Sequence, residues 1–249
     1  MPPRFHAPAA DRTGEVIELP PEEAEHLGRV LRLKAGASVR VFNGRGSEFE
    51  AVVDTIARGR VRVRIGVACD AVAEPRVAIT LAQAALKGDK MDEVIRDAVM
   101  IGVAAIQPIV TTRAEVTLAA LARGRRRQRW ERIAIASAKQ SGRATVPAIL
   151  EPRTFAEATE ALAQMTLPGP GIMFVEPSVA VGTLTLGELA TSAPREATVL
   201  VGPEGGWTAE EVDSGSATCR LVTLGRRTLR ADAVPIIALT ALFAVWKEF

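Results

Sequence analysis

Residues 60–65 read RVRVRI, an alternation that puts Arg60, Arg62 and Arg64 on one face of a strand and Val61, Val63 and Ile65 on the other. The runs EVIEL, SVRVF and EFEAVV precede it, and Asn43-Gly44 between two of them is a tight-turn signal. With one helical stretch among them, PEEAEHLGRV, these short strands predict a small β-barrel over residues 1–70, followed by a linker, AVAEPR. Beyond Val77 the period changes. DKMDEVIRDAVMIG places Met91, Val94, Ile95, Ala98 and Val99 on one helical face, with Gly102 as the stop. VAITLAQAAL opens as a strand, and VAAIQPIV, GIMFV, ATVLV and CRLVTL are further strands. Between them lie two helices, RRRQRWERIAIASAKQSGR with Trp130, Ile133 and Ala134 inward, and FAEATEALAQ opened by Thr154 and Glu157. TLPGPG, residues 166–171, is a turn. Strands alternating with helices predict an α/β domain with a largely parallel sheet over residues 75–249.

Two strand ends carry unusual chemistry. In LVGPEGGWTAEEV, residues 200–212, a buried strand breaks into proline, a carboxylate and two glycines before Thr208 and Glu211 open a helix with a capping box. Missing side chains at Gly202, Gly205 and Gly206 let backbone N–H and C=O groups approach a ligand and permit positive φ. LGRRTLRADAVP, residues 224–235, repeats the logic, with three arginines and Asp232 leading into an apolar helix. Asp232 is also placed to cap that helix, whose Pro235 suits a first turn, or to pair with Arg230. Ligands of open α/β sheets bind beyond the carboxyl ends of the strands, so the two loops are expected to face one crevice.

Composition narrows the chemistry. Two cysteines and two histidines exclude a disulfide framework and leave no metal centre or histidine-rich triad to expect. The longest apolar run, AVPIIALTALFAVW, falls short of the roughly 18–20 residues of a membrane span and reads as a buried helix. The first residues lack the apolar stretch of a secretory signal, so a cytoplasmic location with no membrane partner is expected. The formal net charge is only +2, but residues 113–153 hold ten basic against three acidic residues, and residues 154–218 one basic against nine acidic. That segregation points to a polyanion on the basic side. Arg29, Arg32, Lys34, Arg60, Arg62 and Arg64 in the first region are placed to follow a phosphate backbone, and Arg125, Arg126, Arg127, Arg129 and Arg132 are available to solvent or nucleic acid.

LVGPEGGWTAEEV followed by LGRRTLRADA resembles the C-terminal signature of the 16S rRNA uridine-N3 methyltransferases of the SPOUT superfamily. HLGRVLRLKAGASVRVFNGRG is similar to that family's N-terminal RNA-binding barrel, KGDKMDEVIRDAVMIGV to its first catalytic-domain helix, and AKQSGR, which contains Arg143, to its central motif. The matches run in order from Arg4-Phe5 to the last helix. The resemblance implies a PUA-like β-barrel at residues 1–70 and a SPOUT α/β trefoil-knot domain at 75–249, a homodimer packed through the final helix, and S-adenosyl-L-methionine as cofactor. It implies a uridine in the decoding region of the small ribosomal subunit as target.

Carried onto this chain, the cofactor pocket involves the segments Phe174–Pro177, Gly202–Gly206 and Leu224–Ala231, with Val175, Glu176, Gly202, Pro203, Gly205, Gly206, Leu224, Gly225, Leu229 and Ala231 as cofactor-binding residues. The RNA-binding residues are Arg29, Arg32, Arg60, Arg62, Arg125, Arg127 and Arg143. Ring nitrogen 3 of uridine carries a proton and shares its lone pair with two carbonyls, so methylation needs a general base and cations for the developing charge. Glu204 and Asp232 are the candidate bases and Arg230 the electrostatic partner. The family usually shows Arg-Thr-Glu-Thr where this chain has Arg230, Ala231, Asp232 and Ala233; Met100 stands for a usual glutamate, and Lys139 replaces an acid. The altered motif keeps open a catalytically silent RNA-binding relative, and a SPOUT ribose 2′-O-methyltransferase is the other alternative. GPEGG lacks the G-x-G-x-x-G spacing of a dinucleotide-binding oxidoreductase and lies late in the chain.

Overall fold

The alternating N-terminal runs form one five-stranded sheet in the computed structural model, which describes residues 2–122, 125–167, 169–179, 182–190 and 193–249. Its strands are β1 (Arg4–His6), β2 (Val16–Glu18), β3 (Ser38–Phe42), β4 (Glu48–Ala57) and β5 (Arg60–Cys69), in the order β1-β3-β4-β5-β2. All pairs are antiparallel except β1 with β3. Val61, Val63 and Ile65 are buried while Arg60, Arg62 and Arg64 are exposed, as the alternation requires. The helical stretch between β2 and β3 is one turn of α-helix, α1 (Pro21–Glu25), continuing as a π turn over His26–Val30 that buries Leu27. Leu27 joins Phe5, Val41, Phe49, Val53 and Val63 in the core of this unit. At Asn43-Gly44 the side-chain oxygen of Asn43 accepts from the backbone N–H of Arg45 and Ser47 at 2.8 and 3.1 Å, and Gly44 takes φ +79°.

The chain divides into two units, residues 1–74 with Ile135–Val146, and Pro75–Ala134 with Pro147–Phe249. A single boundary between residues 70 and 75 does not anticipate that Ile135–Val146 groups with the first unit. Arg4 supplies part of the reason. Its guanidinium binds the buried Glu48 carboxylate at 3.1 and 2.7 Å and also donates to the carbonyl oxygens of Lys139, Gly142 and Arg143 at 2.6, 3.1 and 3.1 Å. Lys139, the cation where the resembled family carries an acid, is absorbed by Glu23 at 2.7 Å and lies 4.7 Å from the centre of the Phe5 ring.

In the second unit seven parallel strands follow the expected alternation. They are β6 (Ala78–Ala84), β7 (Ala105–Val110), β8 (Ala148–Ile149), β9 (Arg153–Thr154), β10 (Gly171–Phe174), β11 (Glu196–Val201) and β12 (Cys219–Val222). The order is β12-β10-β11-β6-β7-β8, with β9 also paired to β7. The main helices are α2 (Lys90–Ile101), α3 (Leu118–Ala122), α4 (Arg126–Ser141), α5 (Phe155–Ala163), α6 (Leu186–Leu189), α7 (Ala209–Ser216) and α8 (Val234–Val245), α4 running on into the first unit. α2 buries Met91, Val94, Ile95, Ala98 and Val99 and stops at Gly102 with φ +116°. Trp130 and Ala134 of α4 are buried and Ile133 is half-buried. Of the TLPGPG turn, Pro168 lies outside the described residues. No helix among the described residues is long and apolar enough to cross a membrane.

Both expected capping boxes form. Thr154 caps α5 through Glu157, and Thr208 caps α7, its hydroxyl accepting from Glu211 N–H at 3.2 Å while Glu211 accepts from Thr208 N–H at 3.0 Å. Removing the hydroxyl orphans an N-terminal donor, so Thr208→Ala is expected to lower stability by about 1 kcal/mol. Chemical denaturation of the variant beside the parent measures it.

Candidate active site

The strand order explains why three loops meet. β10 lies between β11 and β12, all three parallel, so the segments leaving their carboxyl ends stand side by side. Together they line a cleft of about 580 Å³ including its open mouth. Phe174, Val175, Glu176 and Pro177 come from the first segment; Val201, Gly202, Pro203, Glu204 and Trp207 from the second; Leu224, Arg227, Thr228, Leu229, Ala231 and Val234 from the third.

Local sequence sets the shape of the middle loop. Trp207 donates its indole N–H to the Phe174 carbonyl oxygen at 2.8 Å and turns its ring toward Gly202, where an added Cβ would meet ring atoms at 3.0 Å. Gly206 adopts φ +68°, and a Cβ there would collide with the Glu176 carboxylate. Glycine meets both conditions without strain or displacement of its neighbours. The lining mixes apolar surfaces at Leu224, Leu229, Val234 and Trp207 with carboxylates at Glu176 and Glu204 and a cation at Arg227.

Of the residues singled out from sequence, Val175, Glu176, Gly202, Pro203, Glu204, Leu224, Leu229 and Ala231 line the cleft. Gly205, Gly206 and Gly225 do not; they shape the turns behind it. Arg230 and Asp232 flank the lining residue Ala231, and Arg230 binds Asp232 through Nε and Nη2 at 3.0 and 2.8 Å. Of the two roles open to Asp232, the structure has the pairing: it does not cap α8, whose N-cap is Ala233 without a side-chain bond. The hydrogen bonds from Arg230 hold Asp232 below the usual carboxylate range. For Glu204, burial raises the carboxyl, but the hydrogen bond from Lys90 at 2.9 Å and backbone N–H groups outweigh it and lower it overall. Sequence reasoning missed Val201, Trp207 and Val234. Trp207, wedged between two glycines and a capping threonine, carried the clearest signal.

The basic residues separate by partner. Arg32, Arg62 and Arg125 are exposed and have no acidic partner among the described residues. Arg29 pairs with Glu25 at 2.6 Å and Arg60 with Glu18 at 3.6 Å, both on the surface, where such pairs are worth at most about 1 kcal/mol. Arg127 is shared between Glu131 and Glu151. Arg143 requires a correction. It is 4% exposed and its guanidinium is bound by Glu74, so it holds the first unit together and presents no charge to RNA. Among the described residues no group of three or more His, Cys, Asp or Glu comes together as a metal site.

The RNA methyltransferase domain family matches residues 73–243, and the RNA methyltransferase PUA domain matches residues 19–66. Ribosomal RNA small subunit methyltransferase E of Synechocystis is 31% identical over 238 residues, covering 93% of this chain and 74% of that protein. The corresponding enzyme of Neisseria gonorrhoeae, solved bound to S-adenosyl methionine, is 30% identical and superposes with a TM-score of 0.87 over 99% of this chain and 98% of its own. A Legionella pneumophila protein solved with bound SAM is 28% identical, with a TM-score of 0.87 over 98% of both chains.

Proposed function

The chain belongs to the RNA methyltransferase family, and from that premise we propose that it methylates N3 of one uridine in the decoding region of the small-subunit ribosomal RNA. The broader activity, S-adenosylmethionine-dependent methylation of ribosomal RNA, follows from the family and from relatives matching over nearly the whole chain. The observation that carries the finer reading is the Arg230–Asp232 pair, flanking a residue that lines a glycine-walled cleft.

The cleft fits the cofactor. Gly202 brings bare backbone to the cleft, Leu224, Leu229 and Trp207 offer apolar surface to a nucleoside, and Glu176 and Glu204 offer negative charge to an ammonium or sulfonium. When bound, S-adenosylmethionine supplies an electrophilic methyl group that moves from sulfur to N3. The chain must hold the uracil edge in line with that methyl and take the N3 proton. Asp232, kept ionised by Arg230, is the base in this reading, with Glu204 as the other carboxylate. Arg230 uses Nε and Nη2 on Asp232, which leaves the Nη1 donors for a uracil carbonyl oxygen as negative charge develops there. Arg32, Arg62 and Arg125, with Arg29 and Arg60, then hold phosphates of the substrate.

The C-terminal segment is a trefoil knot in this reading, and the protein is a cytoplasmic homodimer. Support for the dimer comes from α8. It buries Pro235, Ala238, Leu239, Leu242 and Phe243 but leaves Ile237, Thr240 and Ala244 exposed on an uncharged face, which a second copy would cover. The test is incubation of the purified protein with labelled S-adenosylmethionine and small subunits lacking the modification, followed by digestion of the RNA to nucleosides. Label is expected in 3-methyluridine. Label in a ribose-methylated nucleoside would replace the uridine-N3 reading, and cofactor binding without transfer would identify a silent relative.

A further inference from the structure

We propose that Arg113 and Glu211 are positioning residues that pre-set the cofactor loop from its outer side; the inference rests on the cofactor reading of the cleft. Residues 202–208 contain three glycines, so the loop has few side chains with which to fix its own shape, and ordering it is an entropic cost that binding must meet unless other residues have met it already. The segment after β7 does so. Arg113 Nη1 donates to two carbonyl oxygens of the loop, those of Gly205 and Trp207, each at 3.0 Å. One residue earlier, the Thr112 N–H donates to Glu211 Oε1 at 2.7 Å, while Glu211 Oε2 accepts from the Thr208 N–H at 3.0 Å. Glu211 is 6% exposed, and its two oxygens join the start of α7 to the strand end of β7. The carboxylate that completes the capping box is therefore also a tie between loops.

This arrangement explains the glycine that the cleft does not use. Gly205 faces away from the cavity, and a Cβ there would lie 3.0 Å from the Arg113 Cβ, tighter than ordinary packing allows. Trp207 is held on both sides, its carbonyl by Arg113 and its indole by Phe174. Without Arg113 the loop populates its binding geometry only part of the time, and apparent affinity falls by that fraction, while the chemistry after binding is unchanged.

The experiment measures S-adenosylhomocysteine binding by calorimetry and methyl transfer at varied cofactor for the full chain, Arg113→Ala, Arg113→Lys and Glu211→Gln. Arg113→Ala is expected to raise Kd and KM about ten-fold while kcat falls by no more than about three-fold, the split of a lost pre-organising contact. Amide exchange in residues 203–207 of the free protein is expected to quicken. Arg113→Lys keeps a cationic donor but not the guanidinium that fixes Nη1 in the plane between the two carbonyls, so its Kd falls between the two. Glu211→Gln turns one acceptor into a donor and shifts Kd in the same direction as Arg113→Ala. If Arg113→Ala does not fold, Arg113→Lys decides: a several-fold rise in Kd supports the brace, and parental affinity overturns it. A folded Arg113→Ala with parental affinity, or one losing kcat alone, also overturns it. Failure of the parent protein to bind S-adenosylhomocysteine would instead overturn the cofactor reading.

Discussion

Gly206→Val is expected to weaken cofactor binding strongly while leaving the fold in place. Gly206 holds φ +68°, a region that costs other residues of order 1–3 kcal/mol, most of all a β-branched one, and its missing Cβ is the space in which the Glu176 carboxylate sits. Strain and collision act together. The Glu176 carboxylate, at the end of a flexible side chain, can swing aside to relieve the collision, but the backbone strain at Gly206 is relieved only by moving the loop that lines the cleft. A loss of about 10-fold to 100-fold in affinity follows, since each 1.4 kcal/mol is about a factor of ten. Titration with S-adenosylhomocysteine measures it, with circular dichroism verifying the fold. Gly225 supplies the contrast: it has φ +88°, but nothing lies within 4 Å of where its Cβ would be. Gly225→Ala carries backbone strain alone and is expected to weaken binding far less. Affinity within three-fold of the parent in Gly206→Val would remove this loop from the site.

Much of this was legible in the sequence wherever the physics is local. The buried face of α2, the alternation in β5 and the two capping boxes depend on residues at most four apart, and each formed as expected. The glycine loop and the arginine loop were recognisable for the same reason, since a strand that ends in glycines before a capped helix constrains its own turn. What escaped was set by partners far along the chain. Arg143 sits in a motif rich in small and polar residues and looks like a phosphate ligand until Glu74, 69 positions earlier, is found against it. Lys139 looked like a departure from a functional motif, yet Glu23 and the Phe5 ring, both more than 100 positions away, give it structural work. The basic row of α4 misled in part, because Asp89 and Asp92 bind Arg129 and Glu151 binds Arg127. A count of charges along a sequence does not record who neutralises them.

Asp232→Asn is expected to lower methyl transfer by about 100-fold or more, the usual range for loss of a general base, with cofactor affinity unchanged. Asparagine keeps the shape and a hydrogen bond to Arg230 but has no charge with which to take the N3 proton. The pH profile separates this role from a structural one. Because Arg230 lowers the pKa of Asp232, the carboxylate of the parent enzyme stays ionised at mildly acidic pH, and the rate falls only below the ordinary carboxylate value. Removing the guanidinium lets that value rise, so Arg230→Ala should shift the acid limb to higher pH as well as lower the rate. Asp232→Glu restores the longer carboxylate usual in the resembled family and should retain transfer. Nucleoside analysis after single-turnover reactions across pH measures all three. Full activity in Asp232→Asn would pass the role to Glu204, whose own ionised form is held by Lys90; Glu204→Gln would then carry the loss, and the acid limb would move with Lys90→Ala in place of Arg230→Ala.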